Sequence, residues 1–64
     1  MFGENIKTLR TEAGWSQAEL ALKACVSVQM ISAIEQGTKQ PSLPLALGLA
    51  KIFNTTVEKL SGVA

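Results

Sequence analysis

The chain has 64 residues, a single Cys, no His and a formal net charge of +1. That length suits one small domain, residues 1–64, near the lower limit for an autonomous core. An intrachain disulfide and a Cys/His metal cluster are excluded, so stability has to come from packed elements of a chain that is 47% apolar.

The first predicted element is "GENIKTLRTEAG", Gly3 to Gly14. Ile6, Leu9 and Ala13 recur at helical spacing, while Glu4, Lys7, Arg10 and Glu12 are left for solvent. Gly14 suits the residue just past a helix end. The second element carries two start signals at one place. Ser16 and Glu19 make an S-x-x-E capping box, and Trp15 and Leu20 occupy the positions of a hydrophobic staple. A helix is therefore predicted from Gln17, with apolar positions Ala18, Leu20, Ala21, Leu22 and Ala24.

"KACVSVQMIS", Lys23 to Ser32, contains no Gly or Pro, yet a break is predicted inside it. Ser27 is a good N-cap, and Val26 and Ile31 form a second staple around it. The chain breaks near Cys25 and restarts at Val28, running to about Gln36 with Gly37 as the stop. Two short helices joined by a short turn, about 17–36, form a helix-turn-helix arrangement. Cys25 has no second thiol and no general base, so it reads as a small hydrophobe, half buried in the turn.

"TKQPSLP" follows as a short ordered loop. Ser42 caps the fourth helix, with Pro44 tolerated in its first turn. Leu43, Leu47, Ala50 and Phe53 follow its period, thickened by Ala46, Leu49 and Ile52. Asn54 ends it, Thr56 caps a short helix "VEKL", and Gly62 closes that helix. The fold class is an all-α bundle of five helices.

Catalysis has little to work with. His, Tyr and Asp are absent, and Glu4, Glu12, Glu19, Glu35 and Glu58 are scattered. No phosphate loop or nucleotide fingerprint is present. The expectation is a non-enzyme without cofactor, metal or small-molecule ligand. No apolar run reaches membrane-spanning length and no signal-peptide pattern opens the chain, so the expected location is cytoplasmic, off the membrane.

The third helix holds the candidate binding surface. Ile31 and Ile34 face the body, and Val28, Gln29, Ser32, Ala33 and Gln36 lie on or beside the opposite side. A merely solvated face would carry more Lys and Glu. An amide such as Gln29 pairs with the N6/N7 edge of adenine, Ser32 donates or accepts at several base edges, and Val28 or Ala33 meets a thymine methyl. Packing in a dimer or against another domain explains the same surface.

The whole pattern resembles the lambda-repressor-like, or Cro/C1-type, helix-turn-helix family. The matching string is "IKTLRTEAGWSQAELALKACVSVQMISAIEQGTKQPSLPLALGLAKIFNTTVEKL", Ile6 to Leu60. The joint order of "AGWSQAELA", "VS…IS.IEQG", the proline after a short loop and "LAKIFNTTVEKL" makes the match specific. The resemblance implies base-reading roles for Val28, Gln29, Ser32 and Ala33. It places Gln17, Gln36, Lys39 and Gln40 at phosphates, with Gln17 also bracing the recognition helix. Arg10 and Glu35 match an internal ion pair, and Ala21, Cys25, Ile31 and Ile34 match the helix-turn-helix core. Two departures stand out. Cys25 occupies a position where the family has Gly for a left-handed turn, a cost of about 1–2 kcal/mol. The recognition surface also lacks Arg and Lys.

The resulting expectation is a sequence-specific duplex-DNA-binding regulator, a repressor acting as a homodimer. The alternative is a protein-interaction module of the same fold, with contacts around Met30 or the terminal helix.

Overall fold

Hydroxyl caps set where most of the helices begin. In the computed structural model, which describes residues 2–62, the helices are α1 (Phe2–Glu12), α2 (Gln17–Ala24), α3 (Val28–Gln36), α4 (Leu43–Ile52) and α5 (Val57–Ser61). The Ser16 hydroxyl accepts the Glu19 N–H at 3.0 Å, and the Ser16 N–H donates to the Glu19 carboxylate at 3.1 Å. Ser27, Ser42 and Thr56 accept from Met30, Leu45 and Lys59 and so start α3, α4 and α5. Each such cap contributes about 1 kcal/mol.

The helix ends are closed by left-handed residues. Gly14, Gly37 and Gly62 serve α1, α3 and α5, while Cys25 (φ 58°) and Asn54 (φ 54°) serve α2 and α4. At the α2 end the Cys25 N–H reaches the Leu22 carbonyl and the Val26 N–H reaches the Ala21 carbonyl at 3.0 Å. This paired closure turns the chain sharply enough for α3 to start three residues after Cys25.

Every helix contributes to the core. Ile6, Leu20, Ile31, Ile34, Leu49 and Leu60 are fully buried. α1 packs on α3 and α5, α2 on α3 and α4, and α4 on α5. Trp15 stacks on Phe53 with ring centroids 5.5 Å apart, and the Lys23 ammonium lies 4.6 Å from the Trp15 ring centroid. Asn5 donates to the Leu60 carbonyl at 2.7 Å, tying α1 to α5. Among the described residues, no helix is long and apolar enough to cross a membrane.

Four expectations are corrected. Cys25 is exposed rather than half buried in the turn, and so does not join the helix-turn-helix core as the resemblance implied. Its left-handed backbone turns its side chain outward, and Val26 is the residue that packs against the core. Leu22 is 81% exposed although α2 presents it as apolar. Leu20 and Ala21 already fill the contact with the body, and Leu22 and Ala18 fall outside that arc. Ala13 is exposed because α1 ends before it. On α4 the buried positions are Ala46, Leu49 and Ala50, with Phe53 packed beside them, while Leu43 and Leu47 are exposed. That helix is apolar nearly all round, so its period alone does not select the inner face.

Candidate nucleic-acid interface

The turn at Cys25 separates two helices of unequal role. α2 packs against α3 and α4 through Leu20 and Ala21. α3 then presents one face inward and one outward. Ile31 and Ile34 are 0% and 1% exposed. Gln29 and Gln36 are exposed, Val28 is 40% exposed, and Ser32 and Ala33 are half buried on the flank. The Gln36 amide donates to the Ser32 hydroxyl at 3.3 Å, one turn away along the helix. Lys39 and Gln40 are exposed in the loop beyond Gly37. An open cleft of about 290 Å³ is lined by Ser27, Gln29, Met30, Ala33 and Lys39. It puts the cation of the loop beside the amide of the first turn.

The last turn of α3 is anchored by a charged cluster. Arg10 donates through Nε to Glu35 Oε2 at 2.6 Å and through Nη2 to Oε1 at 3.1 Å. Its Nη1 donates to the Trp15 carbonyl at 2.7 Å. Gln17 Nε2 donates to Glu35 Oε1 at 3.0 Å. The side chains of Arg10 and Glu35 are 13% and 3% exposed. Burial pushes the Glu35 carboxyl upward, but hydrogen bonds from Arg10 and Gln17 and the charges of Arg10 and Lys7 outweigh it and hold it below the ordinary 4.5. The hydrogen bond to Glu35 raises Arg10 against the opposing effect of burial. The guanidinium therefore joins α1, the α1–α2 corner and α3 in one bidentate arrangement.

The structure thus gathers Val28, Gln29, Ser32, Ala33 and Gln36 on one helix, with Lys39 and Gln40 just past its end. Gln17 lies at the start of α2, half buried, with its amide turned to Glu35. Ala21, Ile31 and Ile34 sit in the contact between α2, α3 and the body, and Cys25 does not. Two features went unseen in the sequence. The Ser32–Gln36 bond had a signal, since residues four apart on a helix are neighbours. The Arg10 bond to the Trp15 carbonyl had none, because a backbone acceptor leaves no mark on residue type.

Comparison with known proteins points the same way. A family model described as helix-turn-helix matches residues 6–60. An uncharacterised HTH-type transcriptional regulator of Archaeoglobus fulgidus is 40% identical over 55 residues, covering 86% of this chain and 79% of that protein. YgzD of Bacillus subtilis, also an uncharacterised HTH-type transcriptional regulator, is 42% identical over 53 residues, covering 83% of this chain and 80% of its own. Among solved structures, SinR, a master regulator for biofilm formation, in complex with DNA superposes with a TM-score of 0.87 at 34% identity, covering 95% of this chain and 98% of that one. The SinR–SinI complex gives 0.85 at 34% identity, and there the match spans 94% of this chain but only 59% of the other.

Proposed function

Since the chain belongs to the helix-turn-helix family of transcriptional regulators, we propose that it binds duplex DNA sequence-specifically as a homodimer and represses transcription by occupying a promoter. The observation that carries this reading is α3 itself. It buries Ile31 and Ile34, is anchored at Glu35, and turns an uncharged hydrogen-bonding face to solvent. The likeness to SinR solved with DNA supports it.

In this reading α3 enters the major groove. Gln29 pairs with an adenine edge, Ser32 reads its neighbour, and Val28 and Ala33 meet thymine methyls. Gln36, Lys39 and Gln40 set the position on phosphates, and Gln17 adds its remaining amide hydrogen and backbone N–H at the start of α2. Lys39 is the cation in the cleft beside Gln29, so each copy neutralises few phosphates. A dimer neutralising two would show a log–log salt slope on the order of −2.

The second copy is placed on the α4–α5 side. Leu45, Leu49, Phe53, Val57 and Leu60 are taken up by or packed against the core, which leaves Leu43 and Leu47 over. They line an open groove of about 530 Å³ with Lys51 and Glu58 on it. Lys51 and Glu58 carry opposite charges, so an isologous contact there brings one cation and one anion from each copy. The same groove favours a second reading, a protein-interaction module without specific DNA binding.

Selection from a random duplex library separates the two readings. The DNA reading expects an enriched motif that changes with Gln29→Ala and Ser32→Ala, and binding that weakens with salt. No enriched motif for the unmodified chain sinks it. Sedimentation of Leu47→Glu tests the dimer: a species already monomeric without the substitution removes that part.

A further inference from the structure

We infer that Gly3 is a positioning residue for α3, because its missing side chain lets the first turn of α1 lie directly against the closing carbonyls of α3. Gly3 is buried. A methyl built there falls inside the van der Waals envelope of the Ile34 carbonyl oxygen and 3.0 Å from the Glu35 carbonyl oxygen. Both neighbours are backbone atoms, so no rotamer change relieves the overlap and a helix has to move. Gly3 lies inside a regular helix and is not among the residues with positive φ. Its requirement is therefore space, not conformation. Ala is ordinarily the better helix residue, so the direction expected here is the reverse of the usual one.

The atom that Gly3 accommodates belongs to a closure. The Ile34 carbonyl accepts the Gly37 N–H at 3.1 Å, one of the bonds that end α3. One residue earlier, the Ala33 carbonyl takes the Thr38 N–H at 3.0 Å, the Lys39 N–H at 3.3 Å and the Thr38 hydroxyl at 3.2 Å. These bonds aim the loop that carries Lys39 and Gln40. α1 thus meets the end of α3 twice, with Arg10 on the Glu35 carboxylate and Gly3 on the backbone beside it. Residue 3 sets where the end of α3 and its loop sit, without lying on the surface assigned to DNA. The functional consequence rests on the DNA-binding reading; the displacement does not.

Gly48 supplies a matched control. It lies inside α4, and a methyl built on it meets nothing within 4 Å. Amide chemical shifts of Gly3→Ala are expected to change at Gly37, Thr38 and Lys39, with Gly48→Ala leaving those amides in place. On the duplex selected by the unmodified chain, folded Gly3→Ala is expected to bind roughly fivefold or more weakly, with altered preference at flanking positions, while Gly48→Ala binds normally. If Gly3→Ala does not fold alone, the Gly3→Ala/Gly48→Ala double variant in trimethylamine N-oxide carries both measurements. Shift changes confined to α1, or unchanged affinity and preference of the folded variant, overturn the inference. If the unmodified chain selects no duplex, the DNA reading fails and the amide shifts alone decide the role of Gly3.

Discussion

The side chain of Glu35, in the last turn of α3, is 3% exposed and takes three hydrogen bonds from side chains of α1 and α2, whereas α4 and α5 meet the body mainly through apolar groups around Leu49, Phe53 and Leu60, with a single bond from the Asn5 amide to the Leu60 carbonyl. Among the described residues, no hydrogen bond between two side chains involves α4 or α5. The difference is between directional and non-directional attachment. Apolar packing stabilises without fixing a precise angle, because the contact energy is spread over many weak contacts. A bidentate guanidinium on a desolvated carboxylate fixes distance and orientation together. In the proposed DNA-binding reading, the helix that presents the recognition face is the one with the directional anchor. Exposed leucines occur in both halves, Leu22 on α2 and Leu43 and Leu47 on α4, so the anchor and not the apolar surface is what separates them.

The largest expected effect is at that anchor. Glu35→Ala leaves Arg10 partly desolvated and unpaired, a loss of roughly 3–5 kcal/mol in urea denaturation. A loss under about 1 kcal/mol would mean the cluster behaves as an ordinary surface pair and would erase the contrast between the halves. The same site predicts acid sensitivity. Because the Glu35 carboxyl is held below 4.5 in the folded state, its contribution is complete above that pH and is lost as pH falls through the lower folded value. The urea midpoint of the unmodified chain is therefore expected to drop across this range more steeply than that of Glu35→Gln.

Next comes Leu49→Ala in the other half. Leu49 is 0% exposed, and the truncation is expected to cost about 2–4 kcal/mol. The loss should be the same at pH 4 and pH 7 and insensitive to salt, since no charge is involved. A pH-dependent loss would show that the two halves are coupled through α2, which packs on both α3 and α4.

The contrast also governs what could be read from residue order. Element boundaries were legible because caps and stops are local: Ser16, Ser27, Ser42 and Thr56 start helices within three residues of the groups they bind. The inward face of α3 was legible because Ile31 and Ile34 recur at helical spacing while Gln29, Ser32 and Gln36 fall on the other side. The face of α4 was not, since Leu43, Leu47 and Leu49 are equally apolar and only tertiary packing decides which is buried. Arg10 and Glu35 are 25 residues apart, and no periodicity links them; only the family resemblance suggested the pair. The close approach at Gly3 was invisible for a related reason, because a missing side chain signals neither its cause nor its neighbour.

The smallest effect compares the two left-handed residues that are not Gly, one closing α2 and one closing α4. A Cβ in this conformation crowds the following carbonyl, at about 1–2 kcal/mol for an ordinary residue, while Asn is tolerated far better. Cys25 is exposed, so removing its side chain gives up no core packing. The greater freedom of Gly in the unfolded chain takes back part of the gain, roughly 0.4–1 kcal/mol. Cys25→Gly is therefore expected to stabilise by about 0.5–1 kcal/mol, a rise in Tm of roughly 2–8 °C for a domain of this size. Asn54→Gly is expected to change stability by no more than about 0.5 kcal/mol in either direction. Equal gains at the two positions would show that the strain follows the backbone alone and not the residue. A loss at Cys25 would mean that the thiol makes a stabilising contact at the turn, and that the helix-turn-helix half depends on it.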